Sequence, residues 1–135
     1  VPGASEVYRY GWVCYHNEAK HRELGVPMPL MEGANGPGAV SPEVASALAE
    51  GAQRESGSDW GIGITGIAGP GGGSDAKPVG MVYIGLAGPH GTTVTLRQQW
   101  TRAGRQGIQL GSVRDALEML RRALLDLPPL PERRV

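Results

Sequence analysis

The sequence predicts an α/β fold: an α/β/α sandwich with a mixed sheet that includes a C-terminal antiparallel hairpin. Three observations carry this reading. Runs of strand and helix character follow one another in the order β-α-α-β-β-β-α, which layers helices on a sheet. Two β-rich runs, 79–86 and 92–100, flank Gly88-Pro89-His90-Gly91, a tetrapeptide suited to joining antiparallel strands. The longest apolar pattern of helical period, over 108–125, closes the chain before a proline-rich end. A length of 135 residues suits one domain with its own core. We place that domain at 1–126 and a proline-rich tail at 127–135.

Taken in order, residues 6–15 (EVYRYGWVCY) are rich in β-branched and aromatic side chains and read as a strand. Val7, Arg9, Gly11, Val13 and Tyr15 would share one face, with Tyr8, Tyr10, Trp12, Cys14 and His16 on the other. Asn17 reads as the cap of a short helix over 18–24, closed by Gly25-Val26-Pro27. Residues 27–40 read as loop. Ser41-Pro42-Glu43 is a helix start, with a cap, a proline at the first position and an acid in the first turn, and this helix should stop near Gly57. Residues 60–65 read as a central strand buried by neighbours on both sides. In the last helix Val113, Leu117, Leu120 and Leu124 are expected to face the core, with Arg114, Glu118, Arg121 and Arg122 outside. The tail reads as a frayed end.

The most unusual stretch is WGIGITGIAGPGGGSDAKPVG over 60–80. Glycine is used where backbone takes positive φ or approaches a ligand closely, and a structureless loop of this length in a compact domain is usually functional. The loop is expected to form a backbone cradle for an anion or flat polar ligand. Gly61, Gly63 and Gly66 satisfy the letters of a dinucleotide fingerprint, but they fall inside a strand and open no helix. A Walker loop fails as well, because Lys77 is followed by Pro78.

Composition narrows the partners. Thirteen basic residues balance thirteen acidic ones, which argues against a general grip on nucleic acid or anionic membrane. Cys14 is the one cysteine, so no internal disulfide forms. With no secretory signal or long apolar run, the expected location is the cytoplasm. His16, His21 and His90 lack metal-ligand spacing, and neither metal nor cofactor is expected. An exposed hairpin edge makes a homo-oligomer the expected assembly. Two further nucleophiles are conceivable: Cys14 beside His16, and Ser74 beside Asp75 and Lys77. A buried thiol is ordinarily inert, and Ser74 has no evident base.

Three ordered segments resemble the C-terminal domain of the CinA family of competence-damage-inducible proteins. They are Tyr15-His16-Asn17-Glu18-Ala19-Lys20 with Leu24-Gly25-Val26-Pro27, then Gly38-Ala39-Val40-Ser41-Pro42-Glu43-Val44-Ala45, then Thr65-Gly66-Ile67-Ala68-Gly69-Pro70 through Lys77-Pro78-Val79-Gly80. The resemblance implies a metal-free amidase that converts nicotinamide mononucleotide to nicotinate mononucleotide and ammonia, a step of pyridine nucleotide recycling. It further implies catalytic roles for Tyr15 and Lys20, and substrate contacts from Asn17, Thr65, Gly66, Ala68, Gly69 and Arg105. The family's nucleophile is the serine of a Glu-Ser-Cys-Thr-Gly-Gly stretch that these residues do not contain, and the N-terminal segment is expected to be missing. His16 stands where the family often has serine. Lys20 would act as base only if burial lowers its pKa, since a helix N-terminus alone contributes about 0.3–1 kcal/mol, under one unit. A catalytically silent nucleotide-binding or oligomerisation domain is the alternative.

Overall fold

The computed structural model describes residues 1–135. In chain order the elements are α1 (Ala4–Val7), α2 (Asn17–Leu24), α3 (Met28–Met31), α4 (Pro42–Ser56), β1 (Gly61–Gly66), β2 (Val82–Gly88), β3 (Gly91–Leu96) and α5 (Gly104–Leu124). The strands form one sheet of order β1-β2-β3. Both strand pairings are antiparallel, where a mixed sheet was expected; parallel pairing occurs as a single bridge between Arg97 and Arg133. β1, expected at the centre, is an edge strand, and β2 takes the central place.

The α/β/α layering follows from how β1 and β2 alternate. Ile84, Leu86 and Val82 turn to one side and pack with Ile108, Ala116 and Met119 of α5. Glycines turn to the other. A Cβ on Gly63 would lie 2.5 Å from the Ala45 carbonyl oxygen and the Ala49 nitrogen, and Gly61 and Gly85 meet the same helix backbone. α4 therefore sits directly on the sheet, and Gly61 and Gly63 of β1 serve helix packing. Beneath α4, Leu24, Val26, Met31, Val44, Leu48 and Ala52 form the second apolar cluster.

α4 begins as read from the sequence: the Ser41 hydroxyl accepts from the Val44 amide at 3.3 Å, Pro42 occupies the first turn, and Gly57 ends the helix at φ 65°. The hairpin also holds, with Gly88 opposite Gly91 and Pro89-His90 as its loop. Four expectations are corrected. The strand over 6–15 is absent: α1 ends at Val7, and residues 9–15 form no backbone–backbone hydrogen bond, because β propensity makes no strand without an adjacent edge. Asn17 is the first residue of α2, and His16 is its cap without a side-chain bond. Val113, Leu117 and Leu124 are exposed, while the buried stripe of α5 is Ile108, Ser112, Asp115, Ala116 and Met119. The fourth is the tail, which is held along β3.

That tail and the rotated face of α5 share one cause. Asp115 Oδ2 accepts from Arg97 Nε at 3.0 Å, Gln99 Nε2 at 2.8 Å and Arg133 Nη2 at 3.0 Å. Burial alone would raise the Asp115 pKa, but the bonds from Arg97 and Gln99 and the charges of Arg97 and Arg133 outweigh it and hold the carboxyl below its usual range. The Thr95 hydroxyl donates to the Leu130 carbonyl, and Arg97 Nη1 donates to that of Pro131. A polar network, invisible to apolar periodicity, sets the face of α5 and covers the outer edge of β3.

Candidate active site

The residues singled out by sequence gather beyond the end of β1, with α2, the glycine loop and the start of α5 around them. Tyr15 connects the two halves. Its carbonyl accepts from Lys20 Nζ at 3.3 Å, while its hydroxyl lies 3.3 Å from Arg105 Nη2. Arg105 Nη1 also donates to the Gly69 carbonyl at 2.9 Å, so one guanidinium ties the glycine loop to Tyr15. Lys20 Nζ donates to Asn17 Oδ1 at 3.2 Å, and Asn17 Nδ2 donates to Glu32 at 3.3 Å. Tyr15, Asn17, Lys20, Gly69 and Arg105 thus form one connected cluster.

Local sequence explains the placement of Lys20. It stands one turn into α2, whose C-terminus is turned by Gly25 at φ 69°, and its ammonium folds back over the helix start. Desolvation lowers its pKa from the ordinary 10.5, with the neighbouring Cys14 acting in the opposite direction. Lys20 is therefore a half-buried amine shifted toward neutrality, in contrast to a solvated first-turn lysine.

The glycine loop is ordered by its neck. Ile67 N donates to Met81 O at 3.0 Å and Gly80 N donates to Ile67 O at 2.7 Å. Within it, Ser74 and Lys77 close a tight turn through Ser74 N to Lys77 O and Lys77 N to Ser74 Oγ. Ser74 is thus a turn residue. Lys77 Nζ reaches back to the Pro37 carbonyl and fixes the loop against the segment before α4. The amides of Ala68, Gly69, Gly71, Gly72 and Gly73 donate to no protein group. Gly69 requires its residue type, since φ is 73° and a Cβ would strike Val79.

The remaining expected contacts divide. Ala68 lies half-buried in the loop and Gly66 ends β1. Thr65 is buried and its hydroxyl donates to the Ala39 carbonyl at 2.6 Å, so it braces the site from behind. Cys14 is half-buried against the α4 cluster. Two residues were not found by sequence reasoning. Glu32, the partner of Asn17, lies in a Pro/Gly-rich stretch with no periodic signal, and the role of Lys77 as a brace depends on a contact forty residues away.

Comparison with known proteins gives a single answer. The model of the CinA C-terminal domain matches residues 1–124. A CinA-like protein of Synechococcus sp. (strain RCC307) is 50% identical over 121 residues, which cover 90% of this chain and 28% of that protein. A CinA-like protein of Anaeromyxobacter sp. (strain Fw109-5) is 52% identical over 124 residues, 92% of this chain and 29% of its relative. The chain thus spans under a third of the length of these relatives. The crystal structure of competence/damage inducible protein CihA from Agrobacterium tumefaciens superposes with a TM-score of 0.81 at 40% identity, covering 89% of this chain and 71% of that one. A competence or damage-inducible protein from Enterobacter asburiae gives 0.80 at 28% identity, covering 92% and 75%. With matched sequence along nearly its whole length and the same fold, this chain belongs to the CinA C-terminal domain family.

Proposed function

We propose that this domain hydrolyses the carboxamide of nicotinamide mononucleotide, giving nicotinate mononucleotide and ammonia. The observation that carries the reading is the half-buried Lys20 ammonium, its pKa lowered by desolvation, beside Tyr15 and a loop with unused amides. Amide hydrolysis needs a nucleophile, a base and donors for the developing oxyanion. Neutral Lys20 takes the proton of a serine hydroxyl, the serine of the family motif named above. The alkoxide adds to the carboxamide carbon, and amides of the 68–73 segment receive the oxyanion. Lys20 then returns the proton to the departing nitrogen, ammonia leaves, and water hydrolyses the acyl ester by the same base. Tyr15 orients Lys20 through its carbonyl, and Arg105 retains N–H groups beyond those given to Gly69 and Tyr15 with which to meet the phosphate. The reading places the domain in the cytoplasm, where no helix long and apolar enough to cross a membrane is needed or present. The exposed Leu110, Val113 and Leu117 of α5 support assembly as a homo-oligomer.

A second reading, nucleotide binding without turnover, is favoured by one feature: the hydrogen-bond partners of Lys20 Nζ are Tyr15 O and Asn17 Oδ1, and neither is a nucleophile. Ammonia release from nicotinamide mononucleotide separates the two. Turnover that falls by at least about 10²-fold in Lys20→Ala supports hydrolysis. Calorimetric binding with no ammonia selects the second reading, and neither heat nor ammonia sinks both.

A further inference from the structure

Both ends of the glycine loop are held by one short stretch of chain, residues 99–105. At the exit of the loop Gln99 N donates to Gly80 O at 2.7 Å, and Gly80 N passes the tie on to Ile67 O, also at 2.7 Å. At its entry Arg105 Nη1 holds the Gly69 carbonyl. The exit contact has no slack: φ is 93° at Gly80, and a Cβ there would lie 2.6 Å from the Gln99 carbonyl oxygen. A shift of Gln99 is therefore felt at the neck of the loop. β3 itself ends at Leu96, so the placement of Gln99 needs a further cause.

That cause is Arg133. Its backbone runs beside β3, with Arg133 N donating to Leu96 O at 3.0 Å and Gln98 N donating to Arg133 O at 2.8 Å. Its guanidinium then spans the next two residues: Nε donates to Gln98 O at 3.1 Å, and Nη2 donates to Gln99 Oε1 at 2.7 Å and to Asp115 Oδ2 at 3.0 Å. Gln99 is 3% exposed, so both ends of its amide need partners inside the protein. Asp115 accepts and cannot donate, which turns Nε2 toward it at 2.8 Å and leaves Oε1 in need of a donor. Arg133 supplies that donor. A Cβ on Gly111 would sit 2.4 Å from Oε1, so α5 closes the remaining side. We propose that Arg133 is a positioning residue for the glycine loop: it fixes Gln98 and Gln99, Gln99 fixes Gly80, and Gly80 fixes the neck from which the amides of 68–73 are presented. The tie bears on catalysis only under the amidase reading, which makes the loop the oxyanion cradle; on the free chain it can fail or hold apart from turnover.

Residue-resolved amide hydrogen exchange of the whole chain, without ligand, tests this. Arg133→Ala leaves the segment anchored by Thr95 Oγ1 to Leu130 O and Arg97 Nη1 to Pro131 O, and leaves Asp115 its bonds from Arg97 and Gln99, so the variant should fold. The amides of Ile67, Gly80 and Gln99 should then exchange about tenfold faster, while those of α4 and of the β1–β2 pairing keep the parent rates. Arg134→Ala is the control, because that side chain pairs with Glu132 at the surface and should leave all three amides unchanged. Gln99→Met removes the acceptor and should speed the same amides; combined with Arg133→Ala it should add less than the sum of the two, because both variants break one tie. Parent rates at Ile67 and Gly80 in Arg133→Ala would overturn the proposal. So would acceleration shared equally by α4 and β1, which marks a loss of overall stability, an equal effect of Arg134→Ala, or full additivity with Gln99→Met.

Discussion

Asp115→Ala is the perturbation whose cost the fold defines best. The Asp115 side chain is 5% exposed and that of Arg97 9%, so neither is screened by water. Removing the carboxylate deletes three bonds to Oδ2 and leaves the Arg97 guanidinium buried, with the Pro131 carbonyl as its remaining acceptor. Breaking a buried pair from one side costs about 3–5 kcal/mol, a large share of the roughly 5–15 kcal/mol that holds a domain folded. At about 3–5 °C per kcal/mol for a chain of this size, Tm should fall by about 10–20 °C. Differential scanning calorimetry and urea unfolding measure it directly. Arg97→Met combined with Asp115→Leu removes both charges and should recover much of the loss, because the penalty lies in the orphaned cation. A loss below about 1 kcal/mol in Asp115→Ala, or a double variant worse than the single, would refute the assignment of this network as the clasp of α5 and the tail.

The same carboxylate predicts acid behaviour. Its folded pKa lies below the ordinary 3.8, so its contribution is complete above about pH 3.8 and is lost as pH falls through the folded value; Asp115→Asn should flatten the stability curve in that acid range. Gly63→Ala places a methyl against the backbone of α4 and should cost about 1–3 kcal/mol by chemical denaturation, whereas Gly71→Ala, with open space around it, should be nearly silent. Arg105→Ala frees the Gly69 carbonyl and the Tyr15 hydroxyl together; faster amide exchange through the 67–80 loop with little change in Tm is expected, and an unchanged loop would contradict the tie.

Elements with local punctuation were legible in the sequence. Ser41-Pro42-Glu43 and Gly57 delimit α4 because caps act within a turn, and the hairpin is specified by Gly88 and Gly91. Tyr15 just before α2, Asn17 and Lys20 within it, and the glycine loop were recognisable as a family pattern, and the fold brings most of them together. What could not be read depends on distant partners. The stripe Val113, Leu117, Leu124 is as periodic as any core face, yet Arg97 and Arg133 draw Asp115 inward and turn that stripe outward. The β-rich stretch over 6–15 has strand character without a paired neighbour. That Gly61 and Gly63 of β1 are contact points for α4 is something only packing shows.

Lys20, as a base made available by burial, is central to the proposed chemistry. The direct measurement is the pH titration of its Nζ by NMR of lysine labelled at the ε position, resolved by comparison with Lys20→Arg. A midpoint below 10.5 is expected. A Lys20 midpoint at or above 10.5 would contradict it, leaving the cluster around Tyr15 as a binding surface with no base.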